Sequence, residues 1–255
     1  MRHFLYTLFV LISVQVLGQT NGSIKALYKT AIIENDLGSQ KTLSKQLKTE
    51  YSTNILNYYK KLLEVVPSNS ILVTNELEDT YPVLAIQNTE SIEKNVKVVS
   101  LGLLKEEKYL THIFKSLNLS LEFDKTGTSI YLSRILLSKR KVLVSNTVNP
   151  DYYVNYSSQM FVVGLALEYQ CQDQYNQLEQ FWSLLQKKNK YKFNLSSQEK
   201  GIYSNYLPPL LTLYKLKLEG GVKDESLKLG IQYLGQLLDK SIQVKNIIKQ
   251  YEKGG

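Results

Sequence analysis

Three short, β-prone runs separated by helical patterns decide which architectures this chain can adopt. Ile71-Leu72-Val73-Thr74 follows Pro67-Ser68-Asn69, Val96 to Leu101 reads Val-Lys-Val-Val-Ser-Leu, and Val142-Leu143-Val144-Ser145 is the third. Runs this short and this apolar fit strands covered on both faces. Between the first and second, Asp79-Thr80-Tyr81-Pro82 opens a helix, with Thr80 as its cap and Pro82 in its first turn. Between the second and third lie two more helices. Glu106 to Leu117 carries Tyr109, Ile113, Phe114 and Leu117 on one face, and Ile130 to Leu137 is shorter. Strand, helix, strand, helix, strand predicts an α/β fold: a small parallel three-layer sheet with right-handed crossovers. Met160 to Tyr169 fits a buried strand or a buried helix equally well.

Helices flank this core. Ile24 to Ile33 is one. From Ser39 to Val66 the positions Leu43, Leu47, Tyr51, Ile55, Tyr59 and Leu62-Leu63 recur at helical spacing, with Ser39 as cap and Pro67 as stop. Beyond the core, Gln172 to Lys187, Ser196 to Leu218 (broken at Pro208-Pro209) and Lys223 to Glu252 are helical. Paired helices of this kind point to a tetratricopeptide-like arrangement. Self-similarity at about 34 residues is absent, so plain helical-hairpin packing is the reading. The expected divisions are a leader at 1–18, N-terminal helices at 19–66, the α/β core at 67–169 and a helical region at 170–255.

The leader sets the compartment. Met1-Arg2-His3 is a basic start, Phe4 to Leu17 is almost wholly apolar, and Leu17-Gly18-Gln19 offers small residues at a cut. A stretch this short, followed by polar Thr20-Asn21-Gly22, predicts a signal peptide rather than a membrane span. No Cys lies near the cut, so a lipoprotein anchor is not expected. The expected location is periplasmic, with secretion or peripheral attachment to a membrane as variants. The net charge of +8 falls by only one on loss of Arg2. The excess gathers in Lys139-Arg140-Lys141, in Lys187-Lys188 with Lys190 and Lys192, and in Lys240, Lys245, Lys249 and Lys253. In an exported chain such clusters meet anionic envelope polymers, lipid headgroups or acidic proteins rather than nucleic acid. Each taken alone is a solvated helix face.

Composition narrows the chemistry further. At 43% hydrophobic and 21% charged over 255 residues, this is an ordinary globular chain. One cysteine, Cys171, excludes a disulfide framework and a multi-Cys metal site, and burial is its expected fate. Two histidines, His3 and His112, leave little for a His-built metal centre, so no metal or cofactor is expected. Nineteen tyrosines against one tryptophan predict an extensive amphipathic surface. A Ser or Cys hydrolase would need His112 or a Lys as base, and no Gly-x-Ser-x-Gly elbow exists. Phosphate-cradling and dinucleotide glycine motifs are absent as well. No catalytic residue is therefore assigned.

The one chemical constellation is acidic. Glu76, Glu78 and Asp79 sit just past the carboxyl end of the first strand, where open α/β sheets take ligands. Three carboxylates there can hold a cation or sugar hydroxyls, or supply an acid/base pair. The plainer reading is a solvated loop with Asp79 or Thr80 capping the next helix. Ser145-Asn146-Thr147 ends the third strand and faces the same crevice, unless it is only the turn before Pro150. Asn118, Asn155 and Asn194 open Asn-x-Ser triplets, which arise readily by chance.

Two stretches carry a resemblance. The first runs Pro67-Ser-Asn69-Ser-Ile71-Leu-Val-Thr74-Asn75, then Asp79-Thr80-Tyr81-Pro82, Gln87-Asn-Thr-Glu90, and Asn95-Val-Lys-Val98-Val99-Ser-Leu101-Gly-Leu103-Leu104. The second is Val142-Leu-Val-Ser145-Asn-Thr147-Val148 with Gly164-Leu165-Ala-Leu-Glu-Tyr169. Over about Asn57 to Tyr169 the chain resembles the soluble C-terminal region of a bacterial family of multi-spanning membrane proteins related to protein O-mannosyltransferases. That family's glycosyl transfer is attributed to its membrane-embedded part, so the resemblance does not carry the activity to this chain. The family's loop reads Asn-Gly-Asp-Asn-Asp-Thr, whereas here it is Asn75-Glu76-Leu77-Glu78-Asp79-Thr80, without the Gly and with one Asp fewer. A Glu in place of a Gly implies a reshaped loop. The aromatics that follow the family's Pro are Val83, Leu84 and Ala85 here.

The matching polar positions, Asn75, Asp79, Thr80 and Gln87, together with Ser145 and Thr147, form the candidate ligand or partner loop. The expected function is an exported, non-catalytic accessory protein docking on an envelope membrane protein complex through its helical half. Leu234, Leu238 and Ile242 are the expected contacts. The alternative is a glycan-binding or glycan-processing protein that uses Glu78 and Asp79.

Overall fold

The computed structural model describes residues 24–90, 92, 95–121, 127–187 and 195–254. The leader, Asn194 and Lys188, Lys190 and Lys192 lie outside the described residues. Two helices replace the single one expected between Ser39 and Val66. After α1 (Ile24–Ile33), α2 runs Leu37–Leu47 and α3 runs Thr53–Val65. The residues between them explain the split. Asp36, rather than Ser39, caps α2, with its carboxylate accepting from Ser39 N at 3.0 Å. Tyr51 is extended and Ser52 caps α3, accepting from Ile55 N at 3.3 Å. A local side-chain acceptor satisfies amides that a continuous helix would otherwise serve.

The sheet has five strands and is mixed, not the small parallel sheet expected. β1 (Ile71–Thr74), β2 (Lys97–Ser100) and β3 (Val142–Ser145) are parallel, whereas β4 (Met160–Val162) and β5 (Ala166–Tyr169) form an antiparallel hairpin beside β3. The order is β2-β1-β3-β5-β4. The ambiguous run from Met160 thus resolves as two strands. Gly164, at φ 134°, turns the chain between them in a conformation that an L side chain rarely adopts. Crossovers run through α4 (Leu77–Glu90) from β1 to β2, and through α5 (Glu107–Ser116) and α6 (Thr128–Leu136) from β2 to β3.

Strand side chains alternate between two cores, as a pleat buried on both faces requires. Leu72, Val98 and Leu143 join a cluster with α3 and the C-terminal helices, while Ile71, Val73, Val99, Val142 and Val144 join one with α1, α2, α5 and α6. The C-terminal helices are α7 (Gln174–Lys187), α8 (Ser197–Tyr203), α9 (Leu207–Glu219), α10 (Glu225–Leu237) and α11 (Ser241–Gly254). The expected helix from Lys223 to Glu252 is therefore two. Asp239, at φ 58°, reverses the chain, and Lys240 N bonds Gly235 O at 2.7 Å in the manner of a Schellman stop. Gly235 lets α11 approach α10, because a Cβ there would lie 2.9 Å from Val244 Cγ2.

Tyrosines, expected on the surface, fill these cores. Tyr28, Tyr58, Tyr59, Tyr203 and Tyr214 are among the largest fully buried side chains. Their phenols find polar partners: Tyr28 with Ser44, Tyr59 with Asp79, Tyr203 with Asn54 O and Tyr214 with Glu252. A phenol that reaches a partner can be buried at little cost.

Two predictions follow from this packing. Ser52 caps α3 and also donates to Glu199 Oε1, while Glu199 completes the capping box of α8. Ser52→Ala should lose about 1–2 kcal/mol and lower the thermal midpoint by about 4 °C, measured by circular dichroism. Burial, and then the Glu78 charge, pushes the Tyr81 phenol up to about 12, and burial raises Tyr58 and Tyr109 further. Unfolded phenols release their protons near pH ~10. Native phenols hold theirs, so this stability is intact below that pH and is lost on rising through the native values. The share of tyrosinate absorbance that comes from the buried phenols should therefore appear together with loss of ellipticity above about pH 10, rather than before it.

Candidate functional site

β1 ends at Thr74 and α4 begins at Leu77, so Asn75 and Glu76 alone make the turn at the carboxyl end of the strand. Gly102, in the short 3-10 helix after β2, donates its N–H to Asn75 O at 2.9 Å and stitches the two strand exits together. The Glu76 carboxylate lies directly on Gly102, since a Cβ there would meet Glu76 Oε2 at 1.9 Å. Gly102 therefore permits the Glu that replaces the related family's loop Gly.

Thr80 does not cap α4, which starts three residues earlier. Its hydroxyl donates back to Glu76 O at 2.8 Å and shares a 2.7 Å hydrogen bond with Thr74 Oγ1. Pro82 accordingly sits in the second turn of α4, where its missing N–H removes one rung of the ladder. Asp79 accepts the phenol of buried Tyr59 at 2.5 Å, and burial with the Asp79 charge pushes that phenol well above its ordinary range. Glu78 holds an exposed ion pair with Lys25 at 2.8 Å. Such pairs contribute little.

Gln87 lies three turns along α4, away from the loop, where its amide donates to Val96 O at 2.9 Å and pins α4 to the start of β2. At the end of β3, Ser145 and Thr147 hydroxyls meet at 2.8 Å, while Asn146 donates to Gly164 O at 3.0 Å. Thr74 pairs in register with Ser100, and Ser145 is one residue past the Val73↔Val144 pair. A row of three hydroxyl side chains thus crosses the parallel strands, and all three are fully buried. The structure brings Asn75, Glu76 and Gly102 together, Thr74 with Thr80, and Ser145 with Thr147. Among the described residues no hydrogen bond joins the Asn75–Thr80 segment to the Ser145–Thr147 turn.

Sequence reasoning placed Asn146 at this end of the sheet and missed Ser100. Ser100 Oγ and Asn146 Oδ1 are buried without a hydrogen-bond partner, which no pattern in the sequence marks. His112 sits on α5 beside the Tyr109 ring at 5.1 Å, its Nε2 buried without a partner, and burial followed by the Lys97 charge lowers its pKa. Cys171 is half-buried and free, accepting from Gln177 Nε2 at 3.3 Å. That amide also bonds the buried carboxylate of Glu168, which pairs with Lys141 at 2.9 Å. Burial pushes the Cys171 thiol up, away from the thiolate that reactive cysteines need. Two concavities of ≈ 460 and ≈ 470 Å³ flank this Lys141–Gln177 bridge, at the opposite end of the sheet from the hydroxyl row. Among the described residues no group of three or more His, Cys, Asp or Glu is placed to hold a metal ion.

Asp79→Ala would leave the buried Tyr59 phenol without its acceptor. A loss of about 1–3 kcal/mol is expected by chemical denaturation, with Tyr59→Phe/Asp79→Ala recovering part of it.

A family model described as TMEM260-associated domain 2 matches residues 55–220, from α3 through the start of the α9–α10 connection. No curated protein and no solved structure matches the chain.

Proposed function

The chain belongs to the TMEM260-associated domain 2 family, and from that premise we propose that it is a non-catalytic accessory domain that works beside a membrane protein. The family is linked to TMEM260, an O-mannosyltransferase-like membrane protein. In this reading the chain is exported, is related to the soluble part of the bacterial proteins whose loop it resembles, and docks on an envelope membrane complex through its helical half. Among the described residues no helix is long and apolar enough to cross a membrane.

One observation carries the docking reading. Leu229 and Tyr233 are 63% and 41% exposed, one turn apart on the outer face of α10, and Ile242 at the start of α11 is 78% exposed. Large apolar side chains grouped on one helical hairpin fit a protein interface. The expected contacts Leu234 and Leu238 are buried at 1% and 4% and belong to the core. The break at Asp239 shifts the helical phase and turns Ile242 outward. At the strand ends, by contrast, Thr74, Thr80, Ser100 and Ser145 are buried and mostly bonded within the fold. The exposed carboxylate of Glu76 beside half-exposed Asn75 and Asp79 supports the second reading, a glycan-binding loop.

Crosslinked capture of tagged chain from envelopes tests the choice. Stoichiometric recovery of one polytopic membrane protein is expected, with at least tenfold less recovered by a folded Leu229→Glu/Tyr233→Glu variant. A chain found free in the soluble fraction, or a variant that captures as well as the parent, would overturn docking and leave the glycan reading.

A further inference from the structure

The outer face of α11 carries Lys245, Lys249 and Lys253 at successive four-residue steps, all exposed. None of the three has an acidic partner among the described residues. Lysines elsewhere do: Lys48 and Lys60 share Glu90, Lys200 pairs with Asp239, and Lys228 pairs with Glu252. Glu252 is the one acid of α11, and its carboxylate is taken up by Lys228 on α10 and the Tyr214 phenol on α9. Like charges four residues apart destabilise a helix. The helix dipole accounts for Lys253 in the last turn but not for Lys245 near the amino end, where a cation is disfavoured. The row therefore costs stability without an internal gain.

Its shape says what it fits. The three ammonium groups lie along a line of about 12 Å at the helical rise. No arginine accompanies them, and the concavity at the amino end of α11, lined by Ile242, Gln243 and Asn246, does not include these lysines, so the row lacks the fork and cradle that single phosphates or carboxylates favour. Flexible point charges on one side of an amphipathic helix, next to an apolar residue as exposed as Ile242, match a plane of anionic headgroups. The net charge of +8 adds a long-range attraction of the same sign. We propose that α11 lies against an anionic phospholipid surface, with Lys245, Lys249 and Lys253 on the headgroups and Ile242 at the acyl boundary. The inference does not rest on the docking reading, because its ligand is different and, Ile242 apart, so are its residues.

Co-sedimentation with vesicles tests it directly. The full chain should bind vesicles of equimolar phosphatidylcholine and phosphatidylglycerol far better than phosphatidylcholine alone, and added salt should weaken the binding. A Lys245→Gln/Lys249→Gln/Lys253→Gln variant with the same N-terminus should lose about 100-fold in partitioning, at about fivefold per lysine. Ile242→Ser should lose several-fold, and all these surface variants should keep the parent's circular dichroism. Equal partitioning of parent and folded triple variant, or no preference for the anionic vesicles, would overturn the proposal. Retention on soluble polyglutamate without vesicle binding would also overturn it and assign the row to an acidic protein instead.

Discussion

The rings of Tyr58, Tyr59, Tyr203, Tyr206 and Phe181 are what the C-terminal helices rest on. Tyr58 meets Tyr59 edge-on at 5.1 Å, Tyr206 at 5.8 Å and Tyr203 at 6.1 Å, and Phe181 stacks on Tyr206 at 6.0 Å. This one cluster joins α3, α7, α8 and the turn into α9. Its phenols are anchored at the rim: Tyr58 accepts from Asn205, Tyr203 donates to Asn54 O and Tyr59 donates to Asp79. A dry aromatic cluster supplies area, and polar handles at its edge fix the angle at which the helices dock.

The same anchoring explains why the strand-end loop looks as it does. Asp79, a candidate ligand residue by its position, accepts the Tyr59 phenol, and Thr80 and Gln87 fasten α4 to β1 and to the start of β2. What remains outward is Glu76, seated on Gly102, with half-exposed Asn75 beside it. The crevice that an open α/β sheet offers beyond its parallel strands is here largely filled by the domain's own hydroxyls.

With that end of the sheet closed, the outer faces of α10 and α11 become the distinctive surface of the molecule. They differ in character. α10 presents Leu229 and Tyr233, whereas α11 presents lysines without partners, and the Asp239 reversal lets the two stand side by side. An apolar stripe and a cationic row on one hairpin would let a domain of this family sit at a membrane protein and on its lipid together.

Periodicity and β-branching in the sequence determined the three parallel strands, the crossover helices and the helical C-terminus, because a pleat and a helix each impose their own spacing on apolar residues. Resemblance over the strand-end segments likewise pointed to a link with an O-mannosyltransferase-like membrane protein. Spacing says which residues share a face, but it does not say where a helix breaks or what that face meets. Ser52 and Asp239 each divide a run whose pattern continues through them, so that of the three expected contacts Leu234 and Leu238 are buried and Ile242 alone is exposed. The tyrosines went the other way. A phenol is buried only if a partner is within reach, and Asp79, Ser44 and Glu252 reach theirs from distant parts of the chain. Those distances, like the closure of the hydroxyl row, exist only once the chain is folded, so only the tertiary structure decided them.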